Sequence, residues 1–402
     1  MSRIKVKVKD IDDDIPTAKS LELSGISGSI KTPMRAFHLK KETTSESRLI
    51  QNDKIRGLNE VYHVLSKEKI NDIDSNVDKL KEWGKNLRYI FSYPKIKDEM
   101  NLLFFNYENK ETGQESNSIP EEKEIEYLCN IVTHPESEVV IPPIIYGLSG
   151  GEYLEFLKKF FRFLKSYSKN QEIMGMIPLV ATSELREINQ FYLEQGIRLF
   201  TVDFAGNYPM DSYLLINEIR KMTEFIATEY KEDSFLHAFN VPLSRAQPTT
   251  YVSPAKDILT YLSGFDSFGS YHKKEPKPPE VIEKIKEKIE QKKLEAKKNK
   301  TRYIPSFRLF NRGDYGYYKN DATRLEVIFK DRKDEVIKLS DLSDPEYSES
   351  KLKGLRKAYN VERHALESND YQSHIHENSL KQHIQKKKYG VENFNKILRV
   401  IH

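Results

Sequence analysis

Asp266 is the carboxylate whose neighbours best suit chemistry. The stretch from Ala255 to His272 reads as a helix, a small-residue turn and a strand that ends on Asp266. Phe265 and Phe268 would exclude water, Gly264 and Gly269 let the backbone bend, and Ser267 and Ser270 offer short polar contacts. A carboxylate held in this way is a candidate nucleophile. The same residues also describe a plain turn, in which Asp266 caps the next helix.

The elements needed to position such a residue follow from Val139 onward, where the pattern becomes regular. Apolar runs at Val139–Ile145, Met174–Val180, Arg198–Asp203 and Phe235–Asn240 alternate with amphipathic stretches at Gly151–Tyr167, Ser183–Gly196 and Ser212–Tyr230. Strands alternating with helices of this length predict parallel βα units. Leu21–Phe37 reads as a hairpin followed by a further strand, and Leu102–Phe105 as a buried strand. No Gly-rich dinucleotide fingerprint is present, so the expected fold is α/β, a (β/α)8 TIM barrel with a smaller mixed C-terminal region. In a barrel, residues just after the strands line the active face, and Asp203, Asn240 and Asp266 are expected there.

The expected organisation is a barrel over residues 1–272, a Lys-rich helical segment over 273–302 and a basic, aromatic-rich region over 303–402. Residues 273–302 hold twelve Lys or Arg against six Glu, which describes a solvated helix as well as it describes a phosphate-backbone contact. Beyond them, Arg302, Arg308, Arg312 and Lys319 interleave with aromatic residues that include Tyr315. Rings and guanidinium groups together suit a splayed base and its phosphates, and the same pattern also suits a strand pair closing the barrel.

Composition narrows the class further. A chain of 402 residues, 38% hydrophobic and 31% charged, is long enough for a sizeable core. The formal net charge of +4 says little about partners, so any nucleic-acid footprint must come from local clustering. The single cysteine, Cys129, excludes an internal disulfide and any multi-cysteine zinc site, and points to a reducing, cytoplasmic setting. No run approaches the roughly 20 apolar residues of a membrane span, so no membrane partner is expected. Five of the ten histidines lie in the last fifty residues without cysteine partners, and no metal is expected there.

Read in order, several segments resemble the tRNA-guanine transglycosylase superfamily, in particular its archaeal-like or DNA-acting 7-deazaguanine branch. They are Gly28–Met34, Ile177–Arg186, Phe200–Tyr213, Phe235–Phe239 and, most tellingly, Gly264–Tyr271. The resemblance spans about residues 20 to 270 and, more weakly, Leu339 to Lys381.

It implies a (β/α)8 enzyme that exchanges guanine for a 7-deazaguanine base in a polynucleotide, DNA or tRNA, through a covalent aspartyl-glycosyl intermediate. On position, Asp266 takes the nucleophile role. Asn106, Gly206, His237, Ser267 and Tyr271 are the residues expected to bind the substrate base. No cofactor is implied. The partners are the nucleic acid, the free base, and a second copy or partner subunit.

The departures are specific. Where the family carries an Asp-Ser-Gly turn with its acid/base carboxylate, this chain has Asn106, which cannot shuttle a proton. Glu108 and Asp203 are the candidate replacements. Leu339–Pro345 lies where zinc-binding cysteines would be, and His364 alone matches the last ligand. A catalytically degenerate, nucleic-acid-binding partner subunit is the alternative expectation.

Overall fold

The computed structural model of the chain describes residues 4–25, 28–39, 55–91, 99–108, 118–133, 137–167, 171–243, 250–272, 279–299, 307–319, 326–342, 344 and 346–401. The chain enters through an antiparallel hairpin of β1 (Lys5–Ile11) and β2 (Lys19–Ser24), with β3 (Ile30–Lys31) on the far edge of β2. Next come β4 (Met34–Arg35) and β5 (Phe37–Leu39), separated by Ala36 alone.

The βα rhythm then begins. It runs through β6 (Leu58–Ser66), α1 (Lys67–Asp74), α2 (Val77–Phe91), β7 (Met100–Glu108) and α3 (Glu122–Val132). It continues with β8 (Val139–Val140), α4 (Gly150–Tyr167), β9 (Glu172–Ile177), α5 (Thr182–Glu194), β10 (Leu199–Asp203), α6 (Tyr213–Phe225) and β11 (Phe235–Phe239). The remaining elements are β12 (Val252–Pro254), a 3-10 turn (Asp257–Ser263), β13 (Ser267–Phe268) and α7 (Pro279–Lys298), followed by β14 (Arg308–Asn311), β15 (Gly316–Lys319), α8 (Glu349–His376), α9 (Leu380–Gln385) and α10 (Val391–Ile401).

The fold is mixed α/β. Six strands pair in parallel in the order β4-β13-β11-β10-β9-β8, and three more in the order β5-β6-β7. A parallel bridge between Asn106 and Ile144 joins β7 to the segment after β8. Two backbone bonds hold it, from Tyr107 N–H to the Ile144 carbonyl (2.8 Å) and from Ile144 N–H to the Phe105 carbonyl (2.8 Å).

Strands covered on both faces read as continuous apolar runs, which is why β10 and β11 are buried at every residue. The helices cover them with apolar stripes. In α4, Tyr153, Phe156, Leu157, Phe160 and Leu164 repeat at helical spacing and are buried. Its start is set by a capping box in which Ser149 N–H donates to Glu152 Oε2 (2.8 Å) and Glu152 N–H to Ser149 Oγ (3.3 Å).

After α7 the structure departs from a nucleic-acid-facing surface. Arg302 lies outside the described residues. The β14–β15 hairpin packs inward, where Phe310, Tyr315 and Tyr317 are all fully buried. Tyr315 donates its hydroxyl to Glu367 Oε1 (2.6 Å) and has no face to offer a base. Arg312, 3% exposed, donates to Glu367 (3.2 Å), Asp334 (2.8 Å) and Asp370 (2.7 Å). Arg308 turns its guanidinium onto the carbonyls of Tyr251 (3.3 Å) and Tyr317 (3.2 Å). These residues therefore hold the hairpin in place, which corrects the expectation that they grip phosphates. Lys319, at the end of β15, is half-buried.

Buried ion pairs hold the C-terminal region together. The Glu367 carboxylate collects Arg312, Tyr315, His383 Nε2 (2.7 Å) and Lys387 Nζ (3.2 Å). Burial opposes its charge, and these donors overcome that and keep it ionised well below the usual carboxylate range. Removing one side of such a network leaves uncompensated charge. Arg312→Leu is expected to lower unfolding free energy by about 3–5 kcal/mol in urea denaturation, and a loss below about 1 kcal/mol would show that the network is not structural.

Candidate functional site

Residues at the carboxyl ends of the parallel strands converge on one polar cluster. Asp203 ends β10, Asn240 follows β11, Glu108 ends β7, and Gly269 to His272 follow β13. The Asp203 Oδ1 atom accepts from the Ala205 N–H (2.8 Å) and from Asn240 Nδ2 (2.8 Å). Asn240 also donates to the Tyr146 hydroxyl (3.0 Å) and accepts from His272 N–H (3.0 Å). Burial and the nearby Asp203 charge push the Tyr146 hydroxyl far up, so it stays protonated and can donate.

The backbone around Asp203 is strained in a way common at functional sites. Ala205 and Asn240 both adopt left-handed conformations, at φ 48° and 59°. Gly206 sits at φ +84°, and a Cβ there would lie 2.9 Å from the Tyr271 ring. Gly206 and Tyr271, both expected to line a base pocket, are thus in contact with one another.

Tyr62 of β6 faces the same cluster. Its hydroxyl is raised by burial first, and then by the charges of Asp203 and Glu108. Asn106 hydrogen-bonds Tyr62 and donates to Glu108 Oε1 (3.3 Å), while its own Oδ1 is buried without a partner. An orphaned buried acceptor is costly and marks a place where a ligand donor is wanted.

Beneath this cluster lies a carboxylate that sequence reasoning missed. Glu60 of β6, fully buried, accepts from His237 Nε2 (2.7 Å), His272 Nε2 (2.8 Å) and Ser270 N–H (3.0 Å). Burial raises its carboxyl, and the two histidines overcome this and hold it well below the usual range. A Cβ at residue 269 would lie 1.3 Å from Glu60 Oε1, so glycine there makes room for the carboxylate. His237 turns its other ring nitrogen to Ser267 Oγ (2.8 Å), and both residues are 0% exposed. His237 and Ser267 are therefore buried supports beneath the polar cluster. An aromatic ladder runs beside them, with Phe239 stacked on Phe104 (4.1 Å) and on His272 (5.3 Å), and His272 on Tyr62 (5.0 Å).

Asp266 is not part of this cluster. It precedes β13 and does not end a strand, and its neighbour across the pairing is Leu236, near the start of β11. Asp266 Oδ2 accepts the Leu236 N–H (2.7 Å), and Oδ1 lies 3.7 Å from Lys19 Nζ. The expectation that Asp266 stands with Asp203 on the active face is corrected. The strand is two residues long and begins after the aspartate, so the side chain is sealed at the amino ends of the strands.

No protein-family model matches the chain, and no curated protein matches it. Among solved structures, the carboxyl transferase domain of Rhizobium etli pyruvate carboxylase is 11% identical with a TM-score of 0.31, over 53% of this chain and 33% of that one. A glucosidase from Croceicoccus marinus is 10% identical with a TM-score of 0.35, over 55% of each chain. Likenesses this weak carry no argument. Among the described residues, no group of three or more His, Cys, Asp or Glu is arranged to hold a metal, and no helix is long and apolar enough to cross a membrane.

Two predictions follow from this geometry. Gly269→Ala is expected to cost at least about 2 kcal/mol in urea unfolding, because overpacking forces Glu60 off its histidines. Adding Glu60→Ala should recover part of that loss, and simple additivity of the two changes would break the assignment.

Burial raises the Asp266 carboxyl from 3.8 to about 6, against the pull of Lys19. The folded state then holds that proton more tightly than the unfolded one, so stability rises as pH falls from above 6 toward 4. Wild type should gain up to about 3 kcal/mol over Asp266→Asn between pH 8 and pH 4. Parallel stability curves for the two proteins would contradict this.

Proposed function

We propose that the parallel strands close into a (β/α)8 barrel whose carboxyl-end mouth exchanges guanine for a 7-deazaguanine base in a polynucleotide, with Asp203 as the nucleophile. The support for closure is the pairing itself. Residues 34–39 pair with β13 through β4 and with β6 through β5, and the bridge at Asn106 links β7 to the segment after β8.

The observation that carries the chemistry is the Asp203 carboxylate, fixed by Asn240 and Ala205 N–H beside three tyrosines and the orphaned Asn106 Oδ1. Guanine and its 7-deaza analogues present N–H donors on one edge and flat faces for stacking. Asn106 Oδ1 supplies an acceptor for that edge, and Tyr62 and Tyr271 supply ring surface.

In the first step an Asp203 oxygen bonds C1′, the C1′–N9 bond breaks, and its electron pair leaves with guanine, which takes a proton from Glu108. In the second step Glu108 removes the N9 proton of the incoming base, whose nitrogen attacks C1′ and releases Asp203. Two inversions give net retention. The target nucleotide must leave its stack to reach the mouth. The exposed helix α7, with seven lysines against five glutamates, is placed in sequence directly after the mouth and suits the phosphate backbone of DNA or tRNA.

A second reading is favoured by one observation. The carboxylate that the family resemblance assigns as nucleophile, Asp266, is sealed at the other end of the strands. A base-binding partner subunit that performs no chemistry would show this.

Transfer of labelled guanine or a 7-deazaguanine into matched DNA and tRNA pools decides between the two. The expected result is label in one pool, lost by at least about 1,000-fold in Asp203→Asn, cut about 100-fold in Glu108→Gln, and retained in Asp266→Asn. Loss confined to Asp266→Asn would overturn the assignment of Asp203. No label from any protein, with the free base still bound, would establish the partner subunit.

A further inference from the structure

A cavity of about 350 Å³ opens at the opposite end of the parallel strands, beside the sealed Asp266. Its floor is apolar, built from Ile216 and Ile219 of α6 and Leu236 at the start of β11. Two cations face it. Lys19 has only distant partners, the Ser234 carbonyl at 3.4 Å and Asp266 Oδ1 at 3.7 Å, so its ammonium keeps donor capacity for another group. The half-buried Arg220 guanidinium makes no ion pair or side-chain hydrogen bond among the described residues. The size falls at the lower end of small-molecule sites, roughly 300–1,000 Å³, which are apolar with a few placed polar groups.

We infer that this cavity binds a small organic monoanion, a carboxylate on a short apolar body, with its head between Arg220 and Lys19 and its body on Ile216, Ile219 and Leu236. The planar guanidinium matches a carboxylate in bidentate fashion. A single charge is preferred to a phosphate dianion because acidic groups stand near, among them Asp233, whose charge reaches Asp266. Asp266 lies behind Lys19, and Glu224 lines the rim one helical turn beyond Arg220. Glu224 is exposed and unpaired with Arg220, so it repels an incoming anion without neutralising its receptor.

The site is separate from the mouth and does not depend on base exchange. The bound head group draws Lys19 away from Asp266, so ligand and the Asp266 charge compete for one ammonium. Binding is therefore expected to strengthen as Asp266 is protonated.

The test is thermal unfolding of the full chain with butyrate, benzoate, benzyl alcohol and inorganic phosphate, each titrated at constant ionic strength. A ligand that binds only the folded state raises Tm with the logarithm of its concentration. Butyrate and benzoate are expected to raise Tm in this way, and benzyl alcohol is not. The shift should vanish in Arg220→Gln, a change on the helix surface that leaves the core intact, and the apparent Kd should tighten by roughly 2–5-fold in Glu224→Gln. An unchanged shift in Arg220→Gln, or one as large with benzyl alcohol, would overturn the site. Phosphate binding as tightly as benzoate would overturn the choice of a monocarboxylate. Lys19→Gln serves as the second variant, with the same loss expected.

Discussion

The buried Glu60 carboxylate organises the carboxyl end of the strands, because it is the charge that β6, β11 and the segment after β13 all meet. A lone carboxylate in a dry core would be strongly disfavoured. Here His237, His272 and the Ser270 N–H each give it a hydrogen bond, and the two imidazoles approach opposite oxygens. The arrangement leaves no slack. Gly269 is the residue the carboxylate rests against, His237 is braced from behind by Ser267, and His272 is braced by the ring faces of Tyr62 and Phe239. Since His272 N–H also bonds Asn240, which in turn holds Asp203, the position of the Asp203 carboxylate is inherited from the buried one.

This chain of contacts explains why the two ends of the strands differ in kind. At the carboxyl end, charges and amides are crossed by several hydrogen bonds each, and the backbone accepts left-handed turns at Ala205 and Asn240 to place them. At the amino end, Asp266 has one good backbone donor and a lysine too far for a hydrogen bond. A carboxyl with so few partners gains protons on burial, whereas Glu60, equally buried, does not. The number and quality of donors decides the outcome, and burial alone does not.

Much of the fold was legible in the sequence because parallel strands covered on both faces are continuous apolar runs. Arg198–Asp203 and Phe235–Asn240 stand within a residue of the observed strands, and Asp203 lies at a strand end as read, whereas β7 runs on to Glu108, past the expected Leu102–Phe105. The candidate site was less legible. A two-residue strand carries no periodicity, so Asp266 could be read as its end when it stands before its start. Glu60 sits inside β6, a nine-residue strand that mixes polar and apolar residues, and nothing in Asn59-Glu60-Val61 distinguishes a buried acid from a solvated one. The available signal was Gly269, read as a place where the backbone bends, when its missing side chain makes room for the Glu60 carboxylate.

The C-terminal region misled for a related reason. Arg308, Arg312 and Tyr315 read as a basic aromatic surface, since charged residues are seldom buried without partners. The partners of Arg312 and Tyr315, Glu367 and Asp370, lie some fifty residues away on α8, and those of the Arg308 guanidinium are backbone carbonyls, so no local pattern reveals the pairing. Glu362 shows the same logic on the backbone, accepting the N–H groups of Val336 (2.9 Å) and Ile337 (3.0 Å) so that an otherwise irregular segment is tied to the helix. The segment just before Leu339–Pro345, where the resemblance implies cysteine ligands, is therefore fastened by a carboxylate on one long helix. Such a fastening differs from a metal site in what it tolerates. A metal joins its ligands through one centre, whereas here each carboxylate gathers its own cations and N–H groups, so the hairpin and the 331–337 segment are anchored at separate points along α8.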